Sequence, residues 1–166
     1  MTNTIKITFP DGNTKNVNKA ISGLEIAESI SKSLAKESIA IKINNEIVDL
    51  SRKIEEDSKV EIIKKNDDEA LNLIRHDCAH VMAEAVQTLF PNTQVTIGPA
   101  IENGFYYDFA KEAPFTTSDL EKIEKKMHEI ISKGENFTRE VWEKKDAIDF
   151  FNNKGEKYKT ELIKEL

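Results

Sequence analysis

Apolar and polar residues alternate over Ile5-Lys6-Ile7-Thr8-Phe9, the period of a half-buried strand. Pro10-Asp11-Gly12-Asn13 supplies turn chemistry, and Thr14–Val17 can return as the second strand of a hairpin. Ser22 and Glu25 stand at capping-box spacing, and Ile26, Ala27, Ile30 and Leu34 then recur as on a helix. Ile39–Ile43 predicts another strand, Asn44-Asn45 a tight turn, Glu46–Leu50 its partner and Lys59–Ile63 a last strand. The polar run Lys64–Asp68 reads as a linker. From Asp67 or Asp68 to Leu89 the spacing predicts one long helix, stopped by Pro91 and opened by acidic residues that suit its positive end.

Strand, strand, helix and three further strands fit a small sheet curled around one helix, a ubiquitin-like β-grasp over residues 1–65. That stretch holds no His, no Cys and no cluster of carboxylates, so it reads as a binding or spacing module. Residues 66–166 then form a second domain, and the fold class is α+β.

Chemistry concentrates on the long helix. With about 100° per residue, Leu71, Ile74, Cys78, Val81, Met82, Ala85 and Leu89 fall on one apolar stripe. His76 and His80 point away from that stripe, beside Ala79, Ala83 and Gln87. Three readings of the pair stay open. Two histidines can simply sit on a solvated face. At i and i+4 they can share a metal ion, and His76-Asp77-x-x-His80 is one methylene from a metalloprotease His-Glu-x-x-His, although no third ligand follows. Neutral imidazoles can also orient or activate water near pH 7. Cys78 lies inside the apolar stripe and reads as a buried, inert thiol rather than a nucleophile.

Downstream, Ile97–Gly104 reads as a loop and Phe105–Phe109 as a strand with Phe105, Tyr107 and Phe109 on one face. The Tyr107 phenol among phenylalanines needs a hydrogen-bond partner or a pocket. Ser118 and Glu121 suit the cap of another helix, with Ile123, Met127, Ile130 and Ile131 as its stripe, His128 on its flank and Gly134 as its stop. Phe137–Val141 suits a strand and Lys144–Asn153 a helix packing Ala147, Phe150 and Phe151. Lys154–Lys159 breaks that helix, and Thr160–Leu166 begins an element without a stop signal, so the ending reads as cut.

Charge narrows the field. The chain of 166 residues carries a net charge of −6, with 11 basic against 10 acidic residues up to Lys65 and 13 against 20 beyond it. The second half is therefore a poor general nucleic-acid surface. Arg52, Arg75 and Arg139 are the only arginines, which leaves few forked phosphate ligands. A single cysteine excludes an internal disulfide framework. No apolar run approaches the roughly 20 residues of a membrane helix and no signal peptide opens the chain, so the expected address is cytoplasmic.

The start, with Phe9-Pro10-Asp11-Gly12, resembles a TGS domain. Ile74-Arg75-His76-Asp77-Cys78-Ala79-His80, then Ile97-Gly98-Pro99, Gly104-Phe105-Tyr106-Tyr107-Asp108 and Gly155-Glu156-x-Tyr158-Lys159, resemble in order the amino-terminal region of bacterial threonyl-tRNA synthetases. The resemblance implies an editing domain that hydrolyses seryl groups mistakenly attached to tRNA(Thr). One methyl gives a synthetic pocket only about 1–3 kcal/mol of discrimination against serine, so a second, hydrolytic site is needed. It further implies that His76, His80 and Lys159 are catalytic and that Tyr107 lines the substrate pocket. The imidazoles would position water and the terminal ribose, and Lys159 would stand beside the substrate or a developing oxyanion. The family's editing site also uses a later Asp-x-Cys-x-x-x-His segment that these residues lack, so the resemblance implies an incomplete pocket and no aminoacylation by this region alone. No metal or cofactor is expected here. ATP, Mg and a catalytic-domain Zn belong to the full-length family enzyme, whose expected partners are tRNA(Thr), its mischarged form and a second copy in a homodimer, with this region possible as a monomer. The alternatives are a short non-enzymatic module that binds RNA or protein and a metal-dependent hydrolase on the His-x-x-x-His helix.

Overall fold

The computed structural model describes residues 4–135 and 138–166. Its contacts divide into two units, up to Leu73 and from Ile74 to Leu166, and the division falls within the long helix rather than at Lys64–Asp68.

In the first unit β1 (Thr4–Thr8) and β2 (Thr14–Asn18) form the expected antiparallel hairpin. A two-residue strand β3 (Ile21–Ser22) leads into α1 (Gly23–Ile30). Ser22 and Glu25 complete the capping box: the Glu25 amide donates to Ser22 Oγ at 3.2 Å and the Ser22 amide to Glu25 Oε2 at 2.8 Å. These bonds, joined by the Lys53 ammonium, pull the Glu25 carboxyl down to about 2. The apolar spacing that continues to Leu34 belongs to two helices. Ser31 adopts an extended backbone (φ −165°) and its hydroxyl caps α2 (Lys32–Glu37), so local capping overrides the continuous pattern.

The chain continues as β4 (Ser38–Ile43), β5 (Glu46–Val48), β6 (Lys53–Ile54) and β7 (Ser58–Lys64). Asn44 and Asn45 both take positive φ (48° and 74°) in the turn between β4 and β5, a geometry that asparagine tolerates better than most residues. The five-stranded sheet runs β2-β1-β7-β4-β5, with β1 and β7 parallel and the other neighbours antiparallel. The short β3–β6 pair carries no period-2 pattern and lay outside the expected elements. The fold of this unit is a β-grasp. Ile5, Ile7, Ile26, Ile41, Ile54 and Val60 form its core between the sheet and α1. Gly23 belongs to that contact, because a Cβ on it would stand 2.8 Å from Ile41 Cγ2.

Helix α3 covers Asp68–Leu89, the span its acidic start and Pro91 stop predict. Ala70 joins Ala40 and Ile63 in a small cluster of the first unit, and Lys42 Nζ meets Glu69 at 2.7 Å. The buried side of α3 differs from the expected stripe. Ala85 of the stripe is buried with Met82 and Leu89 packed nearby, but Leu71 and Ile74 are 49% and 42% exposed, whereas Ala79, Ala83 and Val86, outside the stripe, are buried. Small side chains permit the closer packing, so the side of the helix that carries the histidines is also a packed side.

The second unit adds β8 (Gln94–Val95), β9 (Ala100–Ile101), β10 (Gly104–Phe105), β11 (Phe109–Ala110), α4 (Thr117–Lys133), α5 (Lys144–Asn153) and α6 (Lys157–Glu165). Phe105–Phe109 is not one strand. Its ends pair separately, β10 with β9 and β11 with β8, and Tyr106–Asp108 carries no ladder. The inward alternation survives: Phe105, Tyr107 and Phe109 are half-buried, Tyr106 and Asp108 exposed. Thr116 and Asp119, not Ser118 and Glu121, form the capping box of α4, and Gly134 ends it in the left-handed conformation. Ile123 is buried with Met127 and Ile130 beside it, while Ile131 and His128 are exposed. Of the strand expected at 137–141, Phe137 lies outside the described residues and Thr138–Val141 form no strand. Helix α6 begins at Lys157, earlier than the expected Thr160, which puts Lys159 on a helix. Among the described residues no helix is long and apolar enough to cross a membrane.

Ile41 is fully buried and touches both the sheet and the start of α1. Ile41→Ala should lower stability by about 2–5 kcal/mol through the cavity it leaves. Urea unfolding measures this, and an unchanged midpoint would contradict the packing described.

Candidate functional site

One turn of α3 separates His76 from His80, so their side chains meet on one face. The two Nε2 atoms are 2.9 Å apart, one carrying the hydrogen and the other accepting, and the rings meet edge to face with centroids at 4.6 Å. Both residues are exposed, so water reaches them. Burial of part of the ring pushes the His80 pKa below its ordinary value, helped by His76 and the Lys159 ammonium and opposed by Asp77. A partly desolvated imidazole of this kind stays neutral at mildly acidic pH and keeps a lone pair for a proton.

Lys159 places its Nζ 5.5 Å from the centre of the Phe151 ring, and its charge is the smallest of the influences on the His80 pKa. Tyr107 is half-buried and stacked on Phe109 with centroids at 4.9 Å. Gly98 presses on the Tyr107 ring, where a Cβ would come within 2.1 Å of Cδ2, so loop and ring are mutually fixed. Burial, and then the charge of Glu156, push the Tyr107 phenol above its ordinary pKa, so it remains a hydrogen-bond donor well above neutral pH.

Cys78 is half-buried rather than buried. Two residues past His76, it sits about 200° around the helix and does not share the imidazole face. A metal would find only two imidazoles: among the described residues no group of three or more His, Cys, Asp and Glu could hold an ion. The donor set does not fit a resident zinc centre, which takes at least three protein ligands.

Three residues that the sequence did not single out knit the surroundings together. Gln87 Nε2 donates to Glu156 Oε1 at 2.6 Å and, more weakly, to the Thr93 carbonyl at 3.5 Å. The Lys157 amide, at the start of α6, donates to Gln94 Oε1 at 3.1 Å. Glu156 had a visible signal, since it belongs to the Gly-Glu-x-Tyr-Lys run. An acid just before a helix reads as an ordinary cap, however, and the partner on α3 lies 69 residues away.

Comparison with known proteins adds the following. Residues 5–64 match the TGS domain family. The β-grasp unit is a TGS domain. Over 163 residues, 98% of this chain, the sequence is 57% identical to the threonine–tRNA ligases of Rhizobium rhizogenes and Agrobacterium fabrum. The corresponding ligase of Brucella canis is 55% identical over the same length. The chain is homologous to the amino-terminal region of bacterial threonine–tRNA ligases. It spans 24% of the first of these relatives and 25% of the last. The TGS match stops at residue 64, so the histidine-bearing helix is shared with the ligases but lies outside the TGS domain.

Gly98→Ala tests the clamp on Tyr107. Overpacking of this kind costs about 1–3 kcal/mol. The Tyr107 ring resonances should shift with the loss of stability, and a variant with both unchanged would show that loop and ring are not in contact.

Proposed function

We propose that this chain is the amino-terminal part of a threonine–tRNA ligase and that residues 66–166 carry a hydrolytic site that clears seryl groups from tRNA(Thr), residues 1–65 being an accessory module. The observation that carries the reading is the pair of hydrogen-bonded, water-accessible imidazoles in a chain 57% identical to these ligases. Ester hydrolysis needs a base for water near neutral pH and positive charge where the carbonyl oxygen gains negative charge. In this reading His80, with His76 as hydrogen-bond partner, takes the proton from water or orients it against the terminal ribose. Lys159 stands at the developing oxyanion, and the Tyr107 hydroxyl bounds the pocket. The ligase as a whole would charge tRNA(Thr) with threonine at the expense of ATP, in the cytoplasm, and that chemistry belongs to parts outside these residues. Reading the pair as a metal hydrolase gains nothing from a donor set of two.

The test is deacylation of seryl-tRNA(Thr) by the natural-length protein that carries this region. His76→Ala and His80→Ala should each lower kcat by about 10²–10⁴-fold. A double variant with undiminished hydrolysis would overturn the assignment. The pH dependence has a definite sign: burial and the nearby cations keep His80 neutral below the ordinary histidine value, so the rate should hold level through neutrality. It should fall only when pH drops through a value below 6.5.

A further inference from the structure

Glu156 occupies the N-cap position of α6, where an acidic side chain would gain from the helix's positive end, yet it makes no side-chain capping bond. Its carboxylate turns instead to α3, where Oε1 accepts from Gln87 at 2.6 Å. The first amide of α6 is taken by Gln94 from β8 at 3.1 Å. Gly155, at φ 75°, makes the reversal that allows this arrangement. The Glu156 carbonyl meanwhile accepts from both the amide and the hydroxyl of Thr160, each at 3.0 Å. Oε2 is buried with no partner among the described residues. The Glu156 side chain is thus held by its bond to Gln87 rather than by capping its own helix.

The geometry around that bond gives it a role. Gln87 follows His80 by two helical turns, about 10 Å along the same face of α3. Lys159 follows Glu156 by less than one turn of α6, about 4.5 Å of rise. We infer that Glu156 is a positioning residue: its bond to Gln87 fixes the start of α6 on α3 and so sets where the Lys159 ammonium stands relative to His80. This deepens the hydrolytic reading and takes its catalytic meaning from it, but the geometry can be measured without substrate. The charged and titratable groups acting on His80 are His76 and Asp77 from α3 and Lys159 from α6.

The experiment is an NMR titration of His80 in this 166-residue chain, compared across variants. Lys159→Met removes the cation and should raise the His80 titration point. Gln87→Ala cuts the bridge without altering any charge, and should reproduce most of that rise. Glu156→Ala should also raise it, although loss of a nearby negative charge alone would lower it. Glu156→Gln loses the same charge but keeps the Oε1 acceptor, so it should not reproduce the rise. Combining Gln87→Ala with Lys159→Met should add nothing beyond Lys159→Met. If Glu156→Ala does not fold, Gln87→Ala and Glu156→Gln carry the test. The inference is overturned if Gln87→Ala leaves His80 unmoved while Lys159→Met shifts it, or if Lys159→Met itself has no effect. In the natural-length protein, Gln87→Ala should lower kcat for seryl-tRNA hydrolysis with KM unchanged. Absence of hydrolysis in the unaltered protein would defeat the editing reading alone, because the titration result stands separately.

Discussion

The close packing of α3 through alanines is the constraint on which the candidate site depends. Ala79 and Ala83 are buried on the same side that presents His76 and His80, and Ala85 and Val86 meet Ile123 of α4 in the core of the second unit. Larger side chains at these places would hold neighbouring elements further out. With alanine, two imidazoles stand at the edge of a packed surface, where one ring loses part of its water while both remain reachable. That intermediate position lowers the basicity of His80, as a fully solvated face would not, and keeps it open to water, as a sealed core would not.

Much of the fold was legible because its signals are local. The Ser22–Glu25 box, the Asn44-Asn45 turn, the Asp68–Leu89 helix and the Gly134 stop are each written within a few residues. Errors arose where a local pattern had two solutions. The apolar run through Leu34 served two helices because Ser31 caps the second. Phe105–Phe109 kept its alternation but divided its pairing between two partners. The burial of α3 ran against hydrophobicity alone, since tight packing selected alanine over Leu71 and Ile74.

The candidate site shows the same boundary between near and distant information. His76 and His80 are four residues apart on a helix, so their meeting follows from the period. Lys159 entered only through family resemblance, for nothing local distinguishes it from its neighbours in Lys154–Lys159, whereas Tyr107 stood out locally as a phenol among phenylalanines. Gln87 and Glu156 were visible as a neighbour of the histidines and as part of a motif, but their bond to each other was not, because a contact across 69 residues leaves no trace in spacing.

The single tryptophan stands apart from this chemistry. Trp142 precedes α5, donates its indole N–H to Glu140 at 2.7 Å and meets Phe150 edge to face at 5.0 Å, beside a groove that also takes in Ala147, Ile163 and Leu166. Intrinsic emission excited through the indole will therefore follow events in the α5–α6 groove, which Phe151 links to the Lys159 ammonium. The exposed Tyr106, outside the stacked pair beside it, offers a second position for a tryptophan that leaves the imidazoles, Tyr107 and Lys159 intact.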